Sequence, residues 1–157
     1  PYNYSEDGQI KGLAVEVLKL IWQELGLKPQ EIKLYPWSRA YKMLQQNNNT
    51  VLFTTAKTAQ RTKLFKWVCP IWTGTRTVLI SLKKNHLKIK SLDEAKKYRI
   101  GAIRGYAGEQ ILLSFGFKNE NIESVSDTLQ NIEKLKIGRI DLIVHDESVF
   151  NNLSGSL

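Results

Sequence analysis

The 157-residue chain holds a single cysteine, Cys69, which excludes an internal disulfide and does not by itself make a zinc site. Its two histidines, His86 and His145, lie far apart, and neither has a partner at metal-ligand spacing. No apolar run approaches the roughly 18 residues needed to cross a bilayer, and no signal peptide opens the chain. No serine or cysteine stands in a nucleophile-elbow pattern. Gly101, Gly105 and Gly108 do not form a dinucleotide or Walker-type phosphate loop. The sequence therefore gives no motif for catalysis, for a metal or for a cofactor.

What is present fits an ordinary globular chain, 42% hydrophobic and 24% charged. The net charge of +8 raises the question of an anionic partner. The densest basic stretch, Lys83, Lys84, Lys88, Lys90, Lys96, Lys97 and Arg99, falls in the middle of the chain rather than on one helix face. With no nucleic-acid-binding module beside it, it reads as a solvated linker and surface.

Residues 12–25 place Leu13, Val17, Leu20, Ile21 and Leu25 at helical spacing before Gly26, and predict an amphipathic helix with Glu16 in its first turns. A short strand is expected at Ile32 and Leu34, then a helix from Pro36 carrying Ala40, Met43 and Leu44 inward, then a strand at 51–54. Pro70 argues against a central strand in the apolar run 65–72. Residues 77–82 are a clear strand, and the lysine-rich 83–90 reads as a crossing between lobes. Beyond it, Ser91 and Glu94 fit a capping box, 99–103 a strand, 107–115 a helix, Asp127 a second cap and 140–144 an apolar strand. Strands and helices alternating on both sides of a linker imply two α/β lobes, 1–82 and 91–157.

Three places carry chemistry suited to a small ligand. The turn TTAKTAQR at 54–61 supplies hydroxyls, backbone N–H groups and the guanidinium of Arg61, whose planar fork grips a carboxylate with two parallel hydrogen bonds. A surface arginine paired with a neighbouring carboxylate fits the same spacing equally well. Gly105, Tyr106, Ala107 and Gly108 lie between a strand and a helix, where N–H groups and the helix dipole favour an anion, although glycine there is commonly only a turn requirement. Asp146 stands past the strand 140–144, at the edge where open α/β sheets present ligand-binding groups; a helix N-cap is the alternative.

Taken together, PYNY followed by GQIKGLAVEVLKLIWQELG, the segment TAQRTKLFKWVCPIW, and GRIDLIVHDE resemble the bacterial extracellular solute-binding proteins of the polar amino-acid class, which serve ABC importers. The likeness runs nearly end to end. It implies an α/β, two-lobed periplasmic-binding-protein-like (type II) fold with a ligand cleft between the lobes, apparently truncated at both ends. It implies a monomer in the periplasm that partners an inner-membrane ABC permease. In that resemblance Arg61 binds the ligand α-carboxylate, Thr54 and the backbone at Ala56 line the same pocket, and Asp146 takes the α-ammonium. Trp37 is the aromatic wall, and Gly105, Tyr106 and Ala107 add backbone contacts to the carboxylate. A zwitterion bridging Arg61 and Asp146 would favour hinge closure.

Several residues depart from the family pattern. Ala56 and Ala107 stand where many members have Ser or Thr, Tyr106 adds bulk, and Arg39 near Trp37 disfavours a basic ligand side chain. The same fold also serves as a sensor domain of membrane receptors. Cyclohexadienyl-dehydratase-like enzymes resemble it too, and there Glu109 or Glu147 would have to act as an acid with a raised pKa.

Overall fold

The structure, a computed structural model, describes residues 2–71 and 73–154. Pro1 of the opening motif, Trp72 of the apolar run and the end of the second lobe at 155–157 lie outside the described residues. Internal contacts divide the chain into two units. One gathers the residues up to Tyr35, Arg39–Thr73 and those from Asn151 on; the other holds Pro36–Ser38 and Gly74–Phe150.

The first unit opens with an antiparallel hairpin of β1 (Tyr4–Glu6) and β2 (Gln9–Lys11), in which Tyr4 faces Lys11 and Glu6 faces Gln9. Asp7 and Gly8 form the two-residue turn at φ 52° and 75°, the left-handed pair that matches strand twist. The Asp-Gly dipeptide between two short polar–apolar runs is the sequence signal for this hairpin. Next comes α1 (Leu13–Glu24), at the place expected. Its orientation is the reverse of the expected one. Ala14 and Val15 are buried, whereas Leu13, Leu20, Ile21 and Leu25 are exposed. Residues 13–25 are apolar except at Glu16, Lys19, Gln23 and Glu24, so more than one apolar stripe fits the helical period. The stripe chosen is the one on which Ala14 donates its backbone N–H to the Tyr2 carbonyl at 3.1 Å.

Helix α2 (Trp37–Gln46) follows Pro36, with Ala40, Met43 and Leu44 half-buried, and α3 (Ala59–Thr62) is a single turn. The strands expected at 32–34 and 51–54 are not formed among the described residues. A strand exists only as a member of a ladder, and neither segment finds one. Residues 65–71 are likewise outside any strand, in keeping with Pro70.

The second unit is a four-stranded sheet, β3 (Thr77–Ile80), β4 (Ile100–Ile103), β5 (Ile122–Val125) and β6 (Leu142–Asp146), in the order β3-β6-β4-β5. β4 runs parallel to β5 and β6, while β3 is antiparallel to β6. Helices α4 (Leu92–Ala95), α5 (Ala107–Ser114) and α6 (Thr128–Lys136) connect them, and α7 (Glu147–Ser154) follows. Ala102, Leu142 and Val144 pack with Leu112 and Phe117 in one cluster; Ile143 packs with Ile132, Leu135 and Ile140 in another. Burial on both faces is why the strands read as unbroken apolar runs. At Gly101 there is no room for a side chain, since an added Cβ would lie 2.5 Å from Ile140 Cδ1 and 2.6 Å from Asn131 Oδ1. Both expected caps are made: Ser91 Oγ accepts from Glu94 N at 3.2 Å and Asp127 Oδ1 from Gln130 N at 3.0 Å.

The division falls between Thr73 and Gly74, not at the expected crossing 83–90. Pairing explains the difference. Val78 opposes His145 and Ile80 opposes Ile143, so the strand expected to close the first lobe is the edge of the second unit's sheet. Residues 83–90 stay in the same unit, with Leu87 and Ile89 against the core and Lys88 and Lys90 exposed.

Arg99 ties the start of β4 to the start of β6. Its backbone N–H and Nε donate to Asp141 Oδ2 at 2.9 and 3.1 Å, and Nη2 donates to Oδ1 at 3.1 Å. The Arg99 side chain holds the Asp141 carboxyl below the ordinary carboxylate range, against the opposing pull of burial. A depressed folded pKa means that the stabilisation is fully present above the unfolded value, about 3.9, and is lost as pH falls through the folded one. Asp141→Asn is expected to cost about 1 kcal/mol at pH 7. In urea titrations the gap between wild type and variant should close below about pH 4; a gap unchanged by pH would assign the effect to packing.

Candidate functional site

The sequence-predicted residues fall into two clusters, one inside each unit. In the first, Arg61 lies on α3 and is only 1% exposed. Its Nη1 donates to the Ala56 carbonyl at 3.1 Å, and its guanidinium stands over the Tyr41 ring at 5.2 Å. The exposed ion-pair alternative does not describe it, for a solvated surface arginine does not bury its whole side chain. Tyr41 in turn meets Phe65 edge-on at 5.6 Å.

Thr54 adopts φ 60°, a left-handed conformation that a β-branched residue holds at a cost of about 1–3 kcal/mol. Its hydroxyl donates to the Phe53 carbonyl and accepts from Asn3 Nδ2, both at 2.6 Å. Strain of this kind persists where the surroundings over-determine it, as they do here. Asn3 and Tyr41 were not singled out by sequence reasoning; no spacing rule links them to TAQR. Arg39, expected to bias the site against basic side chains, stacks on the Tyr35 ring at 4.6 Å.

The second cluster is assembled at the carboxyl ends of β4 and β6. Gly105 takes φ 69°, open to glycine with little strain, and its peptide unit is bonded on both sides. Its carbonyl accepts from Trp37 Nε1 at 2.9 Å and its N–H donates to Glu109 Oε2 at 2.5 Å. Ser124 Oγ donates to the other Glu109 oxygen. Trp37 meets Tyr106 edge-on, centroids 5.5 Å apart at 88°. Tyr106 N–H donates to the Ile103 carbonyl, so two of the three amides expected to face a carboxylate are already engaged. Ala107 opens α5.

From Tyr106 the cluster continues to His145, centroids 6.1 Å apart, and His145 precedes Asp146 on β6. Asp146 Oδ1 accepts from Ser148 Oγ at 2.6 Å and from Val149 N at 3.1 Å, so the carboxylate does cap α7. Among the described residues its Oδ2 accepts no hydrogen bond. His145 is 3% exposed. Burial pushes its imidazole below the ordinary value, with the Asp146 carbonyl and charge pulling the other way. Its place behind Asp146 is not among the sequence-based expectations, which treat it only as a metal-ligand candidate without a partner. The signal was its position in an apolar strand with two-residue alternation, which sets His145 on the same face as Ile143.

Both glutamates considered as acids are engaged in structural contacts. Glu109 closes the Gly105 turn, and Glu147 pairs with Arg76 Nη2 at 2.6 Å. Among the described residues no group of His, Cys, Asp and Glu is arranged to hold a metal ion. A hollow of about 580 Å³ in the second unit, walled by Leu79, Leu87, Ile89, Phe115 and Phe117, includes none of the candidate residues.

The chain matches the bacterial extracellular solute-binding proteins, family 3, over residues 1–141 and belongs to that family. Among curated relatives it is similar to the probable amino-acid-binding protein YxeM of Bacillus subtilis (strain 168), 27% identical over 152 residues. That match covers 95% of this chain and 56% of the relative. The arginine-, lysine-, histidine-binding protein ArtJ of Geobacillus stearothermophilus superposes with a TM-score of 0.84 at 22% identity, covering 99% of this chain and 66% of that one. An ancestral amino-acid-binding protein, AncCDT-1, described as a precursor of cyclohexadienyl dehydratase, gives 0.82 at 21%, covering 98% and 69%. The expected α/β fold of type II periplasmic binding proteins is therefore the fold of this chain.

The indole N–H of Trp37 is the bond that fixes its ring against the Gly105 turn. Trp37→Phe keeps the edge contact with Tyr106 and loses the donor, and is expected to cost about 1 kcal/mol in urea unfolding. An unchanged midpoint would mean that water serves the Gly105 carbonyl as well as the indole does.

Proposed function

We propose that the chain captures a free amino acid, as part of an extracytoplasmic solute-binding protein that delivers its ligand to an ABC permease. The burial of Arg61 on the TAQR segment carries the reading, supported by membership of the family. A guanidinium withdrawn from solvent against a tyrosine face is suited to a ligand carboxylate, which it binds through two parallel hydrogen bonds. Thr54 and the Ala56 backbone line that end of the ligand. Asp146 takes the ammonium through the oxygen not used in capping, Trp37 and Tyr106 flank the side chain, and the amide of Ala107 adds a polar contact.

Tryptophan and tyrosine faces favour a cationic side chain by cation–π attraction. The relatives named for arginine, lysine and histidine make the basic amino acids the first ligands to test. Because the ligand joins a fixed cation at one end to a fixed anion at the other, its binding supplies the differential free energy for closing a hinge. The protein works in the periplasm or tethered outside the membrane, and it changes no bond in its ligand.

A thermal-shift and calorimetric screen against the common amino acids tests this. A ligand at 100 times its Kd is expected to add about 2.7 kcal/mol of stability. Arg61→Lys keeps the charge but loses the fork, and is expected to weaken binding at least about tenfold. Asp146→Asn keeps an N-cap and loses only the charge, so it should fold normally and bind poorly. If both variants bind as tightly as wild type, the assignment of the two ends is wrong.

A further inference from the structure

We propose that His145 is a positioning residue that makes ligand capture pH-sensitive: neutral, it holds the Tyr106 and Asp146 end of the site; protonated, it opposes the ligand ammonium. This rests on the reading that Asp146 receives that ammonium.

The hydrogen bonds around the ring assign its tautomer. Nδ1 lies 3.2 Å from the Asp146 carbonyl oxygen, which only accepts, so Nδ1 carries the proton. Nε2 is then a lone pair, 2.9 Å from Thr128 Oγ1, which donates to it. The Tyr106 and Phe150 rings each have their centroid 6.1 Å from that of the imidazole, so the neutral form is bonded at both nitrogens and meets two aromatic rings. A second proton, on Nε2, would turn the Thr128 hydroxyl from donor into acceptor and place a charge in a buried site.

The charged groups on the neighbouring elements are already engaged. On α5, beyond Tyr106, Glu109 binds Gly105 N and Ser124 Oγ. Before α6, Asp127 binds Gln130 through both oxygens. On α7, beside Phe150, Glu147 pairs with Arg76, which precedes β3; the β3 residue opposite His145 is Val78. Of these carboxylates and Asp146, next along β6, two keep an oxygen without a hydrogen bond among the described residues, Glu147 at Oε1 and Asp146 at Oδ2. Since His145 Nδ1 bonds the Asp146 backbone carbonyl, an imidazolium at 145 lies one residue from the carboxylate assigned to the ligand ammonium, and the two positive charges oppose each other. Linkage makes the effect reciprocal: the proton weakens the ligand, and the ligand opposes the proton.

The chain has two histidines, so His86→Gln is a built-in control. The probes are L-arginine and L-glutamine, neither of which changes charge between pH 5 and 7. Calorimetric Kd values for both are expected to rise severalfold in wild type and in His86→Gln as pH falls from about 7 to 5, most of it at the acid end because burial lowers the imidazole pKa. In His145→Gln they should stay nearly level. If His145→Gln does not fold, NMR titration of wild type gives the same answer, because bound ligand should lower the apparent pKa of the buried imidazole. Binding at pH 7 with no pH dependence, dependence that survives in His145→Gln, or an imidazole pKa indifferent to ligand would overturn this inference and leave the proposed function standing. No binding of any amino acid at pH 7 would overturn both.

Discussion

The parallel pairing of Ile100 and Gly101 with Leu142 and Ile143 is the constraint from which the second cluster follows. Two adjacent parallel strands end on the same side of a sheet, so the turn after β4 and the last residues of β6 emerge together. That alone brings Gly105 and Tyr106 near His145 and Asp146. Arg99 and Asp141 pin the opposite ends of the same two strands. Gly101 permits the close approach of Asn131 and Ile140 that the register demands. A helix starts just beyond each carboxyl end: Glu109 reaches back from α5 to the Gly105 amide ahead of it, and Asp146 caps α7.

Where local chemistry decides structure, the sequence was readable. Ser91 and Asp127 cap the helices they were expected to cap, because a side-chain oxygen one residue before a helix has few other partners. The apolar strands of the second unit were legible because burial on both faces leaves little room for a polar residue. Where tertiary pairing decides, sequence reasoning faltered. Residues 32–34 and 51–54 have strand composition but no ladder among the described residues. Periodicity placed α1 correctly and named the wrong stripe, since both stripes are apolar. The division between units moved because β3 finds its partner in β6, some 60 residues further along the chain, and composition carries no trace of that choice.

The candidate residues show the same contrast. Arg61 was recognisable in TAQR, but its burial over Tyr41 belongs to packing and left no mark in the spacing. Asp146 had two readings, a cap and a ligand group, and the geometry of its two oxygens admits both at once. The amides of Gly105 and Tyr106 looked available because a strand–glycine–helix turn leaves N–H groups unpaired. A carboxylate one turn into the helix and a carbonyl at the strand end had already claimed them. His145 was hidden because a histidine in an apolar strand reads as filler until its neighbours are known.

The outward face of α1 has a bearing on how the protein behaves in bulk solution. Leu13, Leu20, Ile21 and Leu25 meet water on a molecule that carries eight net positive charges. At low ionic strength the net charge works against association through this apolar face. Added sulfate or phosphate acts twice in one direction, screening the repulsion and strengthening apolar association.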